Sequence, residues 1–233
     1  MYDTYYYEEI DSTQTYAINL LQSGLMHKNT LIYAKHQTSG IGRRGENWLS
    51  LGKNLTMSLV IKIQNISTPY SIICGIIVVN ILKSENINAQ IKWPNDIFLN
   101  GKKCGGIITN IEKINGINYC IFGIGINLLS NPDLQNKSYK ACNIFNECNI
   151  KLNYRNLALK IANNISTIFE YKKYSNLMQY IESFTYGIGK KCKHNNEIMT
   201  FTSINNSGFA ILKNANNQIY EIKSGQIEFI IDN

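Results

Sequence analysis

The sequence is short of the residues and patterns that define several common protein classes. It has only three histidines, and no two of them have the spacing of metal ligands. Its six cysteines include no Cys-x-x-Cys pair, so we expect buried thiols and neither disulfides nor a zinc site. No apolar run reaches the length of a membrane span, and the N-terminus does not resemble a secretory signal. We therefore expect a cytoplasmic protein without a membrane segment.

The familiar motifs for nucleotide phosphates are also missing. No Gly-x-Gly-x-x-Gly opens a helix within a strand–helix–strand unit, and there is no Walker lysine. A nucleotide would therefore have to be bound in some other way.

The charge balance is basic but diffuse. A net charge of +7 is compatible with nucleic-acid binding. However, the lysines are dispersed, and the abundance of Asn, Ile and Lys indicates a general compositional bias. A non-catalytic basic module that binds nucleic acid is therefore kept only as an alternative.

The spacing of apolar residues predicts an α+β fold. The 233 residues, 44% of them hydrophobic, suffice for one sizeable domain and a small second one. We expect helices that begin at Ser12 and at residue 153 and that cover 72–82 and 175–184. We expect a buried strand over 31–34, a half-buried strand over 55–61, and strands over 97–99, 106–111 and 119–124 joined by Asn-Gly turns. Short strands over 199–204, 209–213, 219–223 and 228–231 predict a small C-terminal β-barrel. Such an order favours a mixed, largely antiparallel sheet covered by helices.

The stretch His36–Trp48 combines glycines, arginines and a terminal tryptophan. Its glycines allow the backbone to take positive φ and to approach a ligand closely. Arg43 and Arg44 offer planar sets of donors that suit phosphate or carboxylate groups. This composition predicts a flexible cationic lid over an anionic ligand, although a solvated surface turn can look the same.

A second concentration of unusual residues is Lys92–Asp96, with the sequence Lys-Trp-Pro-Asn-Asp. Pro94 restricts the backbone and biases Trp93 toward an extended conformation. A strand edge with its tryptophan in the core would explain Trp93 and Pro94, but it would not explain Lys92 and Asn95. Two further segments, 102–106 and 123–127, bring small residues and polar side chains to places where a ligand can approach the main chain.

Taken in order, with Asp11-Ser12-Thr13 ahead of them, these segments resemble the biotin protein ligases. The resemblance covers nearly the whole chain. It implies a catalytic domain over 1–187, similar in fold to class II aminoacyl-tRNA synthetases, and an SH3-like β-barrel over 188–233. Because the chain begins directly at the catalytic domain, we expect the monofunctional form, without the N-terminal DNA-binding domain and without a DNA partner.

The resemblance implies a two-step ligase reaction. The biotin carboxylate attacks the α-phosphate of ATP to give biotinyl-5′-adenylate, and a lysine of a biotin carboxyl carrier protein then displaces AMP. Mg²⁺ would be held mainly by the ATP phosphates rather than by a protein metal site. A carboxylate is already nucleophilic at neutral pH, which fits the lack of a recognisable Ser, Cys or His triad. The family also includes homodimers.

The resemblance further assigns site residues. The catalytic group would be Arg43, Lys92 and Lys103. Biotin would be bound by Ser12, Thr13, Gln14, Gln37, Gly40, Gly42, Arg43, Lys103, Gly105 and Gly106. ATP and the adenylate would be bound by Arg43, Arg44, Trp48, Lys92, Asn95 and Asn127.

Three positions depart from the family pattern. The family usually has Arg at the position of Ile41, often has Arg at that of Glu46, and usually has Asn at that of Gln14. With two loop cations fewer, we expect the adenylate to escape more readily. The nearest alternative activity is that of lipoate–protein ligase, which shares the fold and the adenylation chemistry.

Overall fold

A seven-stranded mixed sheet forms the centre of the molecule. The computed structural model describes residues 2–26, 28–133, 139–171 and 173–230. The strands are β1 (Asp3–Ile10), β2 (Thr30–Gln37), β3 (Leu55–Ile63), β4 (Gln90–Lys92), β5 (Asp96–Leu99), β6 (Lys102–Ile114) and β7 (Ile117–Ile126). Their order is β1-β2-β3-β7-β6-β5-β4, and only the β1–β2 pair is parallel. The predicted mixed, largely antiparallel sheet is confirmed.

Helices cover both faces of this sheet. They are α1 (Thr13–Gln22), α2 (Tyr70–Ser84), α3 (Ile144–Cys148), α4 (Tyr154–Glu170) and α5 (Ile181–Phe184). On one face α1 packs Ala17 and Leu21 against Ile32, Val60 and Ile121 of the central strands. On the other face α2 and α4 share the larger core with the opposite side chains of the same strands. The central strands are therefore buried on both sides.

That arrangement corrects one prediction. Residues 55–61 alternate in sequence, which predicts a half-buried strand, yet every one of them is buried in β3. The smaller residues of the alternation face α1, so they face protein instead of solvent.

Two other elements also differ from the prediction. The strand β1 was not predicted. The expected helix over 175–184 is instead a 3-10 helix over Lys173–Tyr180 followed by the single turn α5.

The predicted hairpins are confirmed by backbone geometry. Asn100 and Gly101 join β5 to β6 with φ values of 50° and 74°. Asn115 and Gly116 join β6 to β7 with φ values of 49° and 81°. Two consecutive residues in the left-handed region are typical of the turn that best fits the twist of a hairpin.

The C-terminal part forms a second, antiparallel sheet. Its strands are β8 (Lys191–His194), β9 (Glu197–Ile204), β10 (Ala210–Lys213), β11 (Ile219–Ile222) and β12 (Glu228–Phe229). The order β11-β10-β9-β8-β12 is open within the described residues, because β11 and β12 do not pair. The strands after residue 197 lie where the sequence predicted them, but β8 was not predicted. Ile231, the end of the last predicted strand, lies outside the described residues.

Trp93 connects this sheet to the large one, since its Nε1 donates to the carbonyl of Gly208 over 2.9 Å.

The burial of the cysteines agrees with the prediction from the composition. All six cysteines are free thiols, and all except Cys148 are buried, as predicted. None of the helices in the described ranges is long and apolar enough to cross a membrane.

Candidate functional site

The stretch between β2 and β3 folds back on itself as a narrow loop above the sheet. Trp48 N–H donates to the carbonyl of Gly40 over 2.8 Å, and Gly42 N–H donates to that of Glu46 over 2.6 Å. Gly40 must be a glycine, because a Cβ there would lie 2.5 Å from the Trp48 carbonyl oxygen. The tip is a 3-10 turn over Arg43–Gly45. The loop is therefore an ordered cover whose arginines lie at its tip.

Beneath this loop lies a cavity of about 310 Å³. Its walls come from the start of α1, the end of β2, the loop, and the strands β3, β6 and β7, with Gln226 from the C-terminal part. Most of the predicted site residues line it: Ser12, Thr13, Gln14, Gln37, Gly42, Arg43, Arg44, Trp48, Asn95, Lys103 and Gly106. The chain thus brings together residues from distant motifs around one space.

The inner end of the cavity is neutral and polar. Ser12 caps α1 by accepting from Thr15 N–H over 3.3 Å. Thr13 donates to Gln37 Oε1 from both its backbone N–H, over 2.8 Å, and its hydroxyl, over 3.0 Å. Ser58 donates to Gln14 Oε1 over 2.8 Å. These buried side chains offer hydroxyl and amide groups without a formal charge.

The mouth of the cavity is cationic. Arg43 Nη1 donates to Asn95 Oδ1 over 2.9 Å, and Asn95 is in turn held by the carbonyl of Ile107. Burial lowers the pKa of Arg43, and the charge of Arg44 acts in the same direction. The ammonium of Lys103 lies 2.7 Å from Asp96. Burial opposes the charge of Lys103, but Asp96 outweighs it and raises the pKa of the lysine. Fixed cations therefore stand where an anion would enter.

Lys92 lies beside the cavity wall, outside its lining residues. The side chain is 5% exposed, and its ammonium lies 5.2 Å from the ring centre of Tyr139 and 5.4 Å from that of Phe98. Lys103 contacts the same tyrosine, with 5.5 Å between its ammonium and the ring centre. Burial lowers the pKa of Lys92, and the nearby charge of Lys103 lowers it further. The three predicted catalytic cations therefore converge on one region, since the charge of Asp96 acts on all three.

The indole of Trp48 lies on the floor formed by β6 and β7. A Cβ on Gly125 would lie 2.5 Å from the indole ring, whereas one on Gly106 would stay 3.5 Å away. The floor is flat at this point because Gly125 has no side chain. A second flat ring, such as a nucleotide base, could stack on the same indole.

Besides Lys92, three predicted site residues are absent from the cavity wall. Gly40 holds the neck of the loop. Gly105 lies inside the sheet, where a Cβ would be 2.8 Å from the carbonyl oxygen of Gly125. Asn127 is 2% exposed, and its Nδ2 donates to the carbonyl of Cys142 over 3.0 Å. Within the described residues Asn127 Oδ1 has no partner. These positions shape the site from behind.

Sequence reasoning gave no role to several residues that complete the site. They are Ser58, Asn110, Asp96 and Tyr139. Asp96 ends the Lys-Trp-Pro-Asn-Asp motif, so its charge next to two lysines was a usable signal. Ser58 and Tyr139 carried no signal, because nothing near them in sequence distinguishes them from ordinary strand and loop residues.

Comparisons with known proteins agree with this geometry. The model of the Biotin/lipoate A/B protein ligase family matches residues 6–127. The bifunctional ligase/repressor BirA of Bacillus subtilis (strain 168) is 36% identical over 134 residues, which are 55% of this chain and 41% of that protein. The biotin–[acetyl-CoA-carboxylase] ligase of Paracoccus denitrificans is 30% identical over 130 residues, 53% of each. The chain thus spans about half the length of these curated relatives. The fold resembles that of a biotin protein ligase from Aquifex aeolicus in complex with biotin and ATP, with a TM-score of 0.80 over 99% of both chains and 24% identity.

Proposed function

This chain belongs to the biotin/lipoate A/B protein ligase family, and we propose that it activates biotin with ATP and transfers it to a lysine of a carrier protein. The observation that carries the proposal is the division of one cavity into two ends. The inner end is neutral and rich in hydrogen-bonding groups, while the mouth holds Arg43 and Lys103. Biotin has the matching division, with a neutral ring urea at one end and a carboxylate at the other.

The chemistry requires two anions to meet. In the first step a carboxylate oxygen of biotin bonds to the α-phosphorus of ATP, and the bond from that phosphorus to pyrophosphate breaks. Arg43 and Lys103 would reduce the repulsion between carboxylate and triphosphate and would stabilise the charge that builds up on the α-phosphate. Their partners, Asn95 and Asp96, hold the cations in place before the ligands arrive. Lys92, which does not line the cavity, would add positive potential from beside Lys103 and Asp96.

The second step transfers the acyl group to the carrier. The amine of the carrier lysine bonds to the carbonyl carbon of the adenylate, AMP leaves, and the amine loses a proton. The mixed anhydride also reacts with water, so the site must exclude solvent until the carrier arrives. The loop 40–48, with Trp48 resting on the floor, would provide that cover.

Magnesium would enter with the nucleotide. Among the residues that the structure describes, no three His, Cys, Asp or Glu side chains could hold a metal ion together. Asp96, the carboxylate on the cavity wall nearest the lysines, is paired with Lys103. These donors fit an ion that is held chiefly by phosphate oxygens, and the bound ion would supply further neutralisation of the triphosphate.

The finer assignments belong to the same proposal. We propose that residues 1–187 are the catalytic domain and that the open five-stranded sheet within 188–233 corresponds to an SH3-like barrel. Antiparallel pairing in the order β11-β10-β9-β8-β12 supports the latter. We also propose that the reaction takes place in the cytoplasm, and the six free cysteines support a reducing compartment.

The polar inner end also favours biotin over lipoate. The dithiolane ring of lipoate has no strong donor or acceptor, so it would leave Gln37 Nε2, which donates to no group in the described residues, without a partner. Buried polar groups left unpaired cost about 1–3 kcal/mol each.

The test is a transfer assay. The purified chain is incubated with MgATP and a biotin carrier domain, with either biotin or lipoate, and the carrier's mass is measured. We expect a mass gain with biotin only, and none on a carrier whose acceptor lysine is replaced by arginine. A gain with lipoate alone would show the alternative activity, and no gain with either acid would overturn the proposal.

A further inference from the structure

A chain of buried hydrogen bonds behind the cavity carries an inference about which groups its inner end can recognise. The chain runs from Asn110 through Gln14 and Ser58 to Thr13 and ends at Gln37. Gln14 is 4% exposed and Ser58 is fully buried. The direction of each bond can be worked out, because main-chain groups fix both ends.

One end is fixed by a main-chain acceptor. Gln14 Nε2 lies 3.2 Å from the carbonyl oxygen of Ile121 and 2.9 Å from Asn110 Oδ1. A carbonyl oxygen can only accept, so the amide nitrogen of Gln14 must face it. The amide oxygen therefore faces Ser58. Gly123 provides the room, since a Cβ there would lie 2.6 Å from Gln14 Oε1.

The other end is fixed by a main-chain donor. The backbone N–H of Thr13 donates to Gln37 over 2.8 Å, so the oxygen of the Gln37 amide must face Thr13. The Nε2 of Gln37 consequently faces away from Thr13, and no residue in the described ranges accepts from it.

These two constraints determine to which acceptors the hydroxyl groups of Ser58 and Thr13 donate. Gln14 Oε1 can only accept, and within the described part of the chain Ser58 is its donor, over 2.8 Å. The single hydroxyl proton of Ser58 thus has two acceptors within reach, Gln14 Oε1 at 2.8 Å and Thr13 Oγ1 at 3.0 Å, and Gln14 takes it over the shorter distance. The hydroxyl proton of Thr13 is donated to Gln37 Oε1 over 3.0 Å, so it is not available to a ligand. Thr13 then presents lone pairs to a ligand.

We propose that Gln14 is a specificity-determining positioning residue: by taking the proton of Ser58, it keeps the Thr13 hydroxyl oxygen free to accept an N–H of a neutral urea or lactam ring. This inference rests on the proposed function, in which that ring is the ring urea of biotin. Gln37 Nε2 supplies the complementary donor for the ring carbonyl.

The proposal predicts that a second substitution restores the biotin affinity lost in a Gln14 variant. A role of Gln14 in packing alone does not predict this recovery. In Gln14→Met the side chain keeps its length but cannot accept from Ser58, whose proton then turns to Thr13 and competes with the ligand. Biotin affinity should fall about tenfold, the equivalent of one neutral hydrogen bond. In Gln14→Met/Ser58→Ala the competing proton is gone, and the affinity should return to within threefold of that of Ser58→Ala alone, the reference variant that lacks the same hydroxyl.

Biotin binding to the full chain is measured by isothermal titration calorimetry for the four proteins, with thermal unfolding as the check of folding. A double variant that binds no more tightly than Gln14→Met would overturn the proposal, because Gln14 would then act through packing alone. If Gln14→Met does not fold, the affinity of Ser58→Ala for biotin tests the proposal instead. A loss of affinity above tenfold would show that Ser58 itself binds the ligand, and this result would also overturn the proposal. If the wild type does not bind biotin at all, the proposed function fails instead.

Discussion

The ammonium group of Lys103 lies 2.7 Å from the carboxylate of Asp96, and the two side chains are only 19% and 7% exposed. The neighbouring Lys102 pairs with Glu147 at the same distance, but its side chain is 42% exposed and does not line the cavity. Two adjacent lysines thus have similar partners and different surroundings. Substitutions of Lys103 and Lys102 can therefore be compared directly, with Lys102 as the control.

Lys103→Ala should abolish most adenylate formation, while Lys102→Ala should leave it within twofold of the wild type. A charge-assisted contact contributes about 1.5–3 kcal/mol, so we expect a loss of at least tenfold for Lys103. The measurement is biotin-dependent exchange of labelled pyrophosphate into ATP, with circular dichroism to confirm folding. Equal activity of the two variants would show that Lys103 does not serve the reacting groups.

Ile41→Arg should lengthen the lifetime of the bound adenylate. Ile41 is 43% exposed and lines the cavity beside Arg43, at a position where the family usually has arginine. An added cation there could contact the adenylate phosphate, and we expect release to slow by about fivefold, since exposure weakens such contacts. Ile198→Arg, on β9 and 59% exposed, adds the same charge away from the loop and serves as the control. Release is followed by chasing the labelled adenylate with unlabelled biotin and ATP. Unchanged release in Ile41→Arg would contradict the leakage hypothesis.

Lys92→Met should make the protein inactive and more stable. Burial lowers the pKa of Lys92, so its charge costs folding free energy at neutral pH. Removing it should raise the free energy of unfolding by about 1 kcal/mol, while adenylate formation falls at least tenfold. Denaturant unfolding and pyrophosphate exchange measure the two effects.

The pH dependence of that gain has a definite sign. Between the lowered pKa of folded Lys92 and the ordinary value of 10.5, the unfolded chain binds more protons, so wild-type stability rises with pH. The advantage of Lys92→Met should therefore be largest at neutral pH and should shrink as pH rises through that window. Lys62→Met, at an exposed position of β3, should show no comparable gain. A gain that grows with pH would contradict the burial argument.

Gly125→Ala should displace the indole of Trp48, and Gly106→Ala should not. The new Cβ would lie 2.5 Å from the indole in the first variant and 3.5 Å from it in the second. We expect red-shifted tryptophan emission and about tenfold weaker ATP binding for Gly125→Ala. The other tryptophan, Trp93, is 1% exposed and should contribute a constant blue emission. Matching spectra for the two variants would mean that Trp48 does not rest on the floor in solution.

Local sequence patterns predicted the parts of the fold that depend on neighbouring residues. The Asn-Gly pairs at 100–101 and 115–116 gave the hairpins, because both asparagine and glycine tolerate positive φ. Ser12 gave the start of α1, because a side-chain oxygen there satisfies a free N–H. The burial of β3 was not predictable in this way, since the sequence of a strand does not state how many of its faces a helix will cover.

The site residues also differ in how far local sequence could predict them. The cations Arg43 and Lys103 were recognisable because each lies in a segment of unusual composition. Asn127 lies in such a segment too, yet it is turned toward Cys142. Tyr139, which contacts both Lys92 and Lys103, lies in a stretch with no distinguishing feature.

The sequence by itself determined the family, the hairpins, the glycine-rich loop and the charged residues of the mouth, because short-range geometry and residue chemistry act within a few positions. Only the tertiary structure decided the polarity of the inner end, where Gln14 meets Asn110 across 96 positions and Ser58 meets Thr13 across 45. The direction of a buried hydrogen bond depends on which main-chain groups surround it, and packing alone brings those groups together.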